Sequence, residues 1–261
     1  MPAHRTPFVT YLIVITNVVA LVWLTRLPPL AQNAAAYKYG FIPLRIAQLS
    51  VPQALPLQVP VPAQPGFPPR VMLVNLQPDR GQIYATLITA MFMHGGWIHL
   101  IGNMWFLWIF GDNVEDRLGH FGYAVLYLVG GILASLAHWF MQPESTLPVI
   151  GASGAVAAVL GAYVVTWPFA RIHSLVFLVV FFTVLELPAL VVLGFWFLQQ
   201  LIAARAIENR LATEGVAWWA HVGGYLAGMV LMQVLTFGST PPAHPDDDYP
   251  GDTLEDDKQV T

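Results

Sequence analysis

The stretch Val149–Tyr163, VIGASGAVAAVLGAY, is the one on which the architecture of this 261-residue chain depends. Ser153 lies inside the tetrad Gly151–Gly154, and the small apolar residues after it carry no charge before Arg171. In a soluble protein this stretch would form a buried helix with a small-residue face. In a membrane it would form a spanning helix with a hydroxyl at its amino end. The other segments of the chain distinguish between the two.

The composition of the chain favours the membrane. Only 10% of the residues are charged and 56% are hydrophobic, whereas soluble domains carry about 25% charged residues. A transmembrane helix needs about 20 apolar residues. Six charge-free runs contain such a stretch: Thr6–Thr25, Gly81–Gly111, Leu118–Pro143, Ser145–Ala170, Leu187–Ala204 and Gly215–Pro245. The sequence therefore predicts an all-α membrane protein, a six-transmembrane-helix bundle. It contains no cysteine, which excludes disulfides and thiolate chemistry.

The six predicted helices are separated by polar or proline-rich segments. They are Phe8–Leu24, Trp97–Arg117, Phe121–Met141, Gly151–Phe169, Pro188–Ala204 and Val216–Phe237. We interpret the first as a retained helix rather than a cleaved signal peptide, because its apolar run is long for one. Ser174–Leu185 is too short to span a bilayer, and we interpret it as interfacial or as a lead-in to the fifth helix.

Two segments are predicted to lie outside the helices. The first is a long loop at about 28–82, in which seven of the nineteen residues Val51–Pro69 are proline. This composition favours an extended, polyproline-like path over a helix. The second is an acidic tail at 238–261, which has the composition of a disordered segment. Residues 1–237 are thus predicted to form the membrane domain.

Polar residues lie near the amino ends of the second, fourth and sixth predicted helices. They are His99 and Asn103, then Ser153, then His221. Alternate helices of an up-and-down bundle run parallel, so these side chains are expected at one depth. Polar groups in hydrocarbon are costly, and by default they mark a functional site.

The residue types at this depth fit acyl transfer. Gly224 and Gly228 form a G-x-x-x-G pair that lets a neighbouring backbone approach closely. Packing this face against the small face of the fourth helix would bring Ser153 towards His221, a base able to take the serine proton. The backbone N–H groups at the Ser153 helix start, with Asn103 and His99, would then provide an oxyanion hole.

Three segments carry a family resemblance: HGGWIHLIGNMW (His94–Trp105), GASG (Gly151–Gly154) and AHVGGYLAG (Ala220–Gly228). Together they resemble the signature segments of the rhomboid intramembrane serine proteases, over roughly Leu87 to Leu231. The resemblance implies a Ser153 nucleophile and a His221 base, a dyad without a carboxylate. It assigns oxyanion stabilisation to His99, Asn103 and the Ser153 backbone N–H. Supporting roles fall to His94, Gly151, Gly154, Gly224, Gly228, Glu115 and Arg117, the last two as an E-x-R element that braces the turn between the second and third helices.

The chain departs from the family pattern at two places. Ala85-Thr86 stands where many rhomboids carry Trp-Arg, and Ala157 stands where the family often has an aromatic that stacks on the base histidine. Tyr225 or a local tryptophan would have to replace that aromatic.

Other interpretations of single residues remain open. A lone serine in an apolar helix usually bonds back to its own helix, and Glu115, Asp116 and Arg117 also suit a structural ion network. His120, His138 and His173 have no partner in the pattern, so we interpret them as structural or interfacial. The chain has no H-E-x-x-H zinc motif, and Ala155 breaks G-x-S-x-G.

Three functions are compatible with the sequence. The first is an intramembrane serine endopeptidase that cleaves transmembrane proteins in or near their membrane segments. The second is a catalytically inactive relative that acts as a membrane chaperone or adaptor. The third is a channel lined by His94, His99 and His221. Transmembrane protein substrates and membrane lipids are the expected partners, and we expect no cofactor, metal or nucleic acid. The expected location is the plasma (inner) membrane of a bacterium, as a multi-pass protein.

Overall fold

A computed structural model of the chain describes residues 6–61, 70–178, 181–208 and 215–239. Within these ranges the protein is mostly helical, with two antiparallel hairpins. The α-helices are α1 (Phe8–Thr25), α2 (Pro29–Tyr39), α3 (Arg80–Thr89), α4 (Trp97–Met141), α5 (Ser153–Thr166), α6 (Ala189–Glu208) and α7 (Trp218–Leu235). Short 3-10 helices cover Pro43–Leu49 and Ala90–Phe92. The strands are β1 (Leu55–Val61), β2 (Arg70–Leu76), β3 (Arg171–Leu178) and β4 (Phe181–Pro188).

Helix α4 consists of two helices joined at Gly119. This residue has φ 70° and ψ 166°, a conformation that glycine adopts without the steric penalty of a Cβ. The two parts, residues 97–118 and 120–141, correspond to the second and third predicted helices. The polar cluster before Gly119 therefore marks a sharp break rather than a loop.

Three of the described helices are long and apolar enough to span a membrane. They are Phe8–Thr25, Trp97–Met141 and Ala189–Ala206, and Ser153–Thr166 is a shorter apolar helix. Large apolar side chains such as Ile98, Phe121 and Phe140 are exposed, which suits contact with lipid. The prediction of a helical integral membrane protein is thus confirmed, and helices occur in all six predicted regions.

Helix α5 forms the centre of the molecule. Every residue from Gly154 to Val164 is buried, and α5 packs against both α4 and α7. A Cβ added at Gly161 would collide with the Tyr225 carbonyl, and one added at Gly228 would collide with the Ala158 carbonyl. The backbones of α5 and α7 are therefore in direct contact, as the small-residue faces predict.

The ends of α5 differ from the prediction for physical reasons. Gly151 has φ 123°, which is not helical, so the helix begins at Ser153 instead of Gly151. At the other end, Trp167 precedes Pro168 and has φ −132° and ψ 65°. A residue before proline is disfavoured in helical geometry, so α5 ends at Thr166 instead of Phe169.

The prediction of a polyproline-like path through Val51–Pro69 is wrong for the described part of that segment. Strand β1 pairs with β2 in an antiparallel hairpin, with Leu57 opposite Val74. Leu57 and Val59 are buried in a small cluster with Ile42 and Leu76. Prolines are tolerated here because both strands of a two-stranded sheet are edge strands.

The segment Ser174–Leu185 belongs to a second antiparallel hairpin, in which β3 pairs with β4 and Ser174 lies opposite Leu185. This hairpin leads into α6, which is one of the two interpretations that the sequence offered. Its β-branched and aromatic residues favour strands. Pro188 closes the hairpin opposite Arg171, and α6 begins at the next residue. The part of the predicted acidic tail beyond Ser239 lies outside the described residues.

The first loop fastens the segment that leads into α5. Phe41 and Val149 exchange two backbone hydrogen bonds, and the Leu44 N–H donates to the Ser145 carbonyl. On the other side, the Gly151 N–H donates to the Ala90 carbonyl at 2.9 Å. Residues 145–151 are therefore held between the first loop and the short helix that precedes α4.

Candidate active site

Ser153 and His221 meet where α5 and α7 begin. Ser153 is the first residue of α5 and His221 lies in the first turn of α7. The Ser153 Oγ is 2.8 Å from the His221 Nε2, and His221 is buried. The two helices approach this closely because Gly224 lies directly against the Gly154 carbonyl. A hydroxyl within hydrogen-bond distance of an imidazole nitrogen is the arrangement that activates a serine.

The second ring nitrogen of His221 has a partner on α6. The His221 Nδ1 lies 2.8 Å from the Gln200 Oε1, and the Gln200 amide nitrogen donates to the Trp196 carbonyl at 3.2 Å. The sequence interpretation missed Gln200, because the resemblance implies a dyad that needs no third group. The signal was present, since Gln199 and Gln200 are polar residues in the apolar run Leu187–Ala204.

Two tryptophans flank His221, although the chain lacks the aromatic that the family often has at the Ala157 position. The Trp196 ring centroid lies 6.1 Å from that of His221 with an interplanar angle of 34°. The Trp218 ring meets His221 edge-on at 5.8 Å. Tyr225 instead stacks on Phe197 at 4.8 Å. Ring contacts with His221 therefore come from α6 and from the start of α7, and not from the Ala157 position on α5.

His94 and His99 hold the backbone that precedes Ser153. His94 is fully buried, and its Nε2 accepts the Ala152 N–H at 3.4 Å. The two histidine rings meet edge-on at 5.0 Å. A Cβ added at Gly151 would lie 2.7 Å from the His99 Cε1 and Nε2, so the ring covers this glycine. The pair places His99 beside the Ser153 loop.

The predicted oxyanion donors lie near Ser153, although the Asn103 side chain also bonds to its own helix. The Asn103 amide nitrogen donates to the His99 carbonyl at 2.8 Å, four residues earlier in the same helix. An amide nitrogen carries two hydrogens, so one remains for another acceptor. Asn103, His99 and Ser153 line a common cavity, and the first turn of α5 adds backbone N–H groups that a helix leaves unpaired.

Glu115 and Arg117 contact other parts of the molecule. The buried Glu115 carboxylate accepts the Val9 and Thr10 N–H groups at 2.8 Å each and the Thr10 hydroxyl at 2.7 Å. It also lies 2.6 Å from the His120 Nδ1. Arg117 donates to the Ser239 hydroxyl at 3.0 Å. Glu115 therefore caps the start of α1, a contact that the E-x-R resemblance did not imply, and His120 is its partner.

Two cavities open onto the Ser153–His221 pair. The larger, about 480 Å³, is bordered by residues that precede α4, α5 and α7, namely Gly95, Val149 and Ala217. His138 also lines it, a residue that the sequence assigned a structural or interfacial role. The smaller, about 360 Å³, lies between the first part of α4 and α6, where Gly102 and Phe106 face Trp196 and Gln200. In the described part of the chain, no three His, Cys, Asp or Glu side chains are grouped as a metal site.

The chain is similar to proteins of one family. Residues 80–237 match the rhomboid domain. Rhomboid-like protein 11, chloroplastic, from Arabidopsis thaliana is 33% identical over 160 residues, covering 57% of this chain and 51% of that protein. RHOMBOID-like protein 6, mitochondrial, from the same plant is 32% identical over 153 residues, with 57% and 43% coverage. Rhomboid protease GluP from Bacillus subtilis is 31% identical over 142 residues, with 54% and 24% coverage.

The domain match establishes the family, whereas similarity to these relatives does not establish the activity. The chain spans about half the length of the first relative and less of the others. Some are named proteases, whereas others are named only rhomboid-like proteins. Two are named for the chloroplast or mitochondrion, so the expected bacterial plasma membrane is not borne out.

Proposed function

The chain belongs to the rhomboid family, and we propose that it is an intramembrane serine endopeptidase. Its substrates are transmembrane proteins, cleaved in or near their membrane segments. The observation that carries this proposal is the 2.8 Å separation of the Ser153 Oγ and the His221 Nε2. We further propose six membrane crossings, by α1, the two parts of α4, α5, α6 and α7.

In the proposed reaction Ser153 is the nucleophile and His221 carries the proton. The His221 Nε2 takes the Ser153 hydroxyl proton while Oγ attacks the carbonyl carbon of the scissile peptide. The tetrahedral intermediate collapses when His221 gives that proton to the amine nitrogen, which departs and leaves an ester on Ser153. His221 then takes a proton from water as the hydroxide attacks the ester carbonyl. Collapse returns the proton to Oγ and releases the carboxylic acid.

The negative charge of the tetrahedral intermediate needs donors fixed in advance. The amino end of α5 presents backbone N–H groups and the positive end of the helix dipole towards Ser153. The second amide hydrogen of Asn103 and the His99 ring supply further donors from α4. Removal of one such donor from a serine protease typically costs about 100- to 1,000-fold in kcat.

Water and substrate are proposed to arrive from different directions. The larger cavity lies at the end of the molecule where α4, α5 and α7 begin, so it can carry water to the buried pair. The smaller cavity separates the first part of α4 from α6. A transmembrane segment moving sideways out of lipid would enter there, and α6 is the proposed moving gate.

Replacement of Ser153 tests the proposal. Ser153→Ala is expected to abolish cleavage of a model transmembrane substrate in liposomes and labelling by a fluorophosphonate, because both need the activated hydroxyl. Ser135→Ala removes a buried hydroxyl from α4 and is the matched control, expected to cleave and label like the wild type. Cleavage that persists in Ser153→Ala would refute the protease.

A second candidate is an inactive membrane chaperone or adaptor. Ala157 and Ala85-Thr86 depart from the family pattern, and several relatives are named only as rhomboid-like proteins. A serine without an activating base does not react with fluorophosphonates. A wild-type protein that is folded and remains unlabelled would favour this candidate.

A further inference from the structure

The hydrogen bond between α6 and His221 has no role in a two-residue mechanism. We propose that Gln200 is the positioning residue for His221, fixing both its tautomer and its orientation. The inference rests on the proposed function, since it concerns the base of that reaction. It adds a third, uncharged member to the Ser153–His221 pair.

The orientation of the Gln200 amide is set by its own helix. Its nitrogen donates to the Trp196 carbonyl at 3.2 Å, which leaves the amide oxygen facing the His221 Nδ1 at 2.8 Å. The reverse orientation would place the amide oxygen against a carbonyl oxygen, and neither atom can donate. The group facing His221 is therefore an acceptor.

An acceptor at Nδ1 decides which nitrogen of the neutral imidazole carries the proton. With Nδ1–H donating to Gln200, the Nε2 lone pair is free, and it faces the Ser153 hydroxyl at 2.8 Å. Without that acceptor, the ring can place its proton on Nε2, and that tautomer cannot take a proton from serine. A neutral amide thus performs the orienting task that a carboxylate performs in a serine protease triad.

Burial makes the Gln200 contact strong enough for this purpose. Gln200 is 7% exposed and His221 8%, so water does not readily replace either partner. A buried polar group that loses its partner bears its full desolvation cost. The two tryptophans that flank the ring restrict its tilt, but an aromatic face cannot select the tautomer.

The position of Gln200 ties the base to α6. Trp196 and Gln200 are one turn apart on this helix, and both contact His221. A displacement of α6 away from α7 would therefore withdraw the acceptor together with one of the flanking rings. Alignment of the base and the position of α6 are linked through this pair.

Neighbouring glutamines provide the test and its control. Gln200→Ala is expected to lower kcat by roughly 10- to 100-fold with little change in KM. That range lies between the loss of one buried hydrogen bond and the larger effect of a wrong tautomer in a triad. Gln199→Ala removes an exposed amide from the same helix and is expected to match the wild type.

A spectroscopic measurement separates positioning from a merely structural role. Nitrogen-15 NMR of labelled histidine, with the His221 signal assigned through His221→Asn, is expected to show Nδ1 protonation in the wild type and a tautomer mixture in Gln200→Ala. Unchanged kcat or an unchanged tautomer in Gln200→Ala would overturn the positioning role. Absence of cleavage and labelling in the wild type would instead refute the protease, while the tautomer measurement still tests Gln200.

Discussion

A histidine serves as a base only if the nitrogen that faces the nucleophile carries no proton. At His221 this condition depends on single atoms: an amide oxygen on one side of the ring and a serine hydroxyl on the other, each at 2.8 Å. Neither distance can be deduced from helix positions alone. The chemistry of the site is thus fixed at the scale of the residue, where one substitution changes one donor or one acceptor.

Gly151 is a backbone position at which a side chain would disturb the geometry of the site. Its φ of 123° and the His99 ring over it leave no room for a Cβ. Gly151→Ala is expected to destabilise the fold by about 1–3 kcal/mol through backbone strain, and to lower kcat because His99 must move. Thermal unfolding in detergent and a cleavage assay measure the two effects.

Gly238 provides the matched control for backbone strain alone. It also has a positive φ, 80°, but nothing lies within 4 Å of an added Cβ. Gly238→Ala is expected to leave kcat unchanged. Equal kcat values for the Gly151→Ala and Gly238→Ala variants would contradict the role given to the His99 contact.

At the scale of the element, direct backbone contact between α5 and α7 sets the distance between serine and histidine. A Cβ at Gly228 would collide with the Ala158 backbone carbonyl, which cannot rotate away as a side chain could. Gly228→Ala is therefore expected to push the two helices apart, lowering both the unfolding temperature and fluorophosphonate labelling. Overpacking of a tight interface typically costs about 1–3 kcal/mol. Gly194→Ala on α6, where an added Cβ meets nothing within 4 Å, should change neither; equal effects in both variants would argue against the close contact.

Glu115 connects two elements that are remote in sequence. Its carboxylate receives N–H and O–H donors from the first turn of α1, with His120 beside it. Glu115→Gln turns one acceptor oxygen into a donor facing these groups, so a loss of about 1–3 kcal/mol in unfolding free energy is expected. The exposed Glu144, changed to Gln, is the control. Because Glu115 is structural, the folded fraction of the variant should keep its kcat, and a selective loss of kcat would contradict this assignment.

Helices were predictable from the sequence to a greater extent than strands. A long apolar run such as Phe8–Leu24 predicts a helix by itself, because a helix satisfies its backbone hydrogen bonds within one segment. Strand β1 must find β2 across intervening residues, and its prolines indicated an unpaired path. The serine and histidine were predictable because each sits in a recognisable segment. Gln200 was not, because its role depends on the contact between α6 and α7, which no local pattern encodes.

At the scale of the whole molecule, the long first loop acts as a support for the site. Its residue Phe41 pairs with Val149, and a Cβ at Gly40 would meet the Pro148 and Ile150 side chains at 2.9 and 2.8 Å. The segment that it supports lines the larger cavity and ends at Ser153. Orientation of Ser153 therefore depends on residues more than one hundred positions earlier in the chain.

Arg45 anchors this support from inside the loop. Its buried guanidinium donates to the Gln48 side chain at 3.1 Å, the Gln77 carbonyl at 3.0 Å and the Gln82 side chain at 3.1 Å. Burial lowers the pKa of Arg45 and the Asp79 carboxylate opposes the shift, and an arginine stays charged in either case. The three acceptors come from the 3-10 helix, the end of the hairpin and α3, so one side chain joins all three.

Loss of this anchor should reach the active site through residues 145–151. Arg45→Ala leaves buried acceptors without a charged donor, so a destabilisation on the order of 1.5–3 kcal/mol is expected, together with weaker fluorophosphonate labelling. Arg80→Ala removes an exposed arginine whose one described side-chain hydrogen bond is to the Leu49 carbonyl. This control should change neither the stability nor the labelling. Proteolysis of the loop under native conditions should be faster in Arg45→Ala only. Full labelling despite a proteolysed loop would show that the Ser153 segment holds its shape without this support.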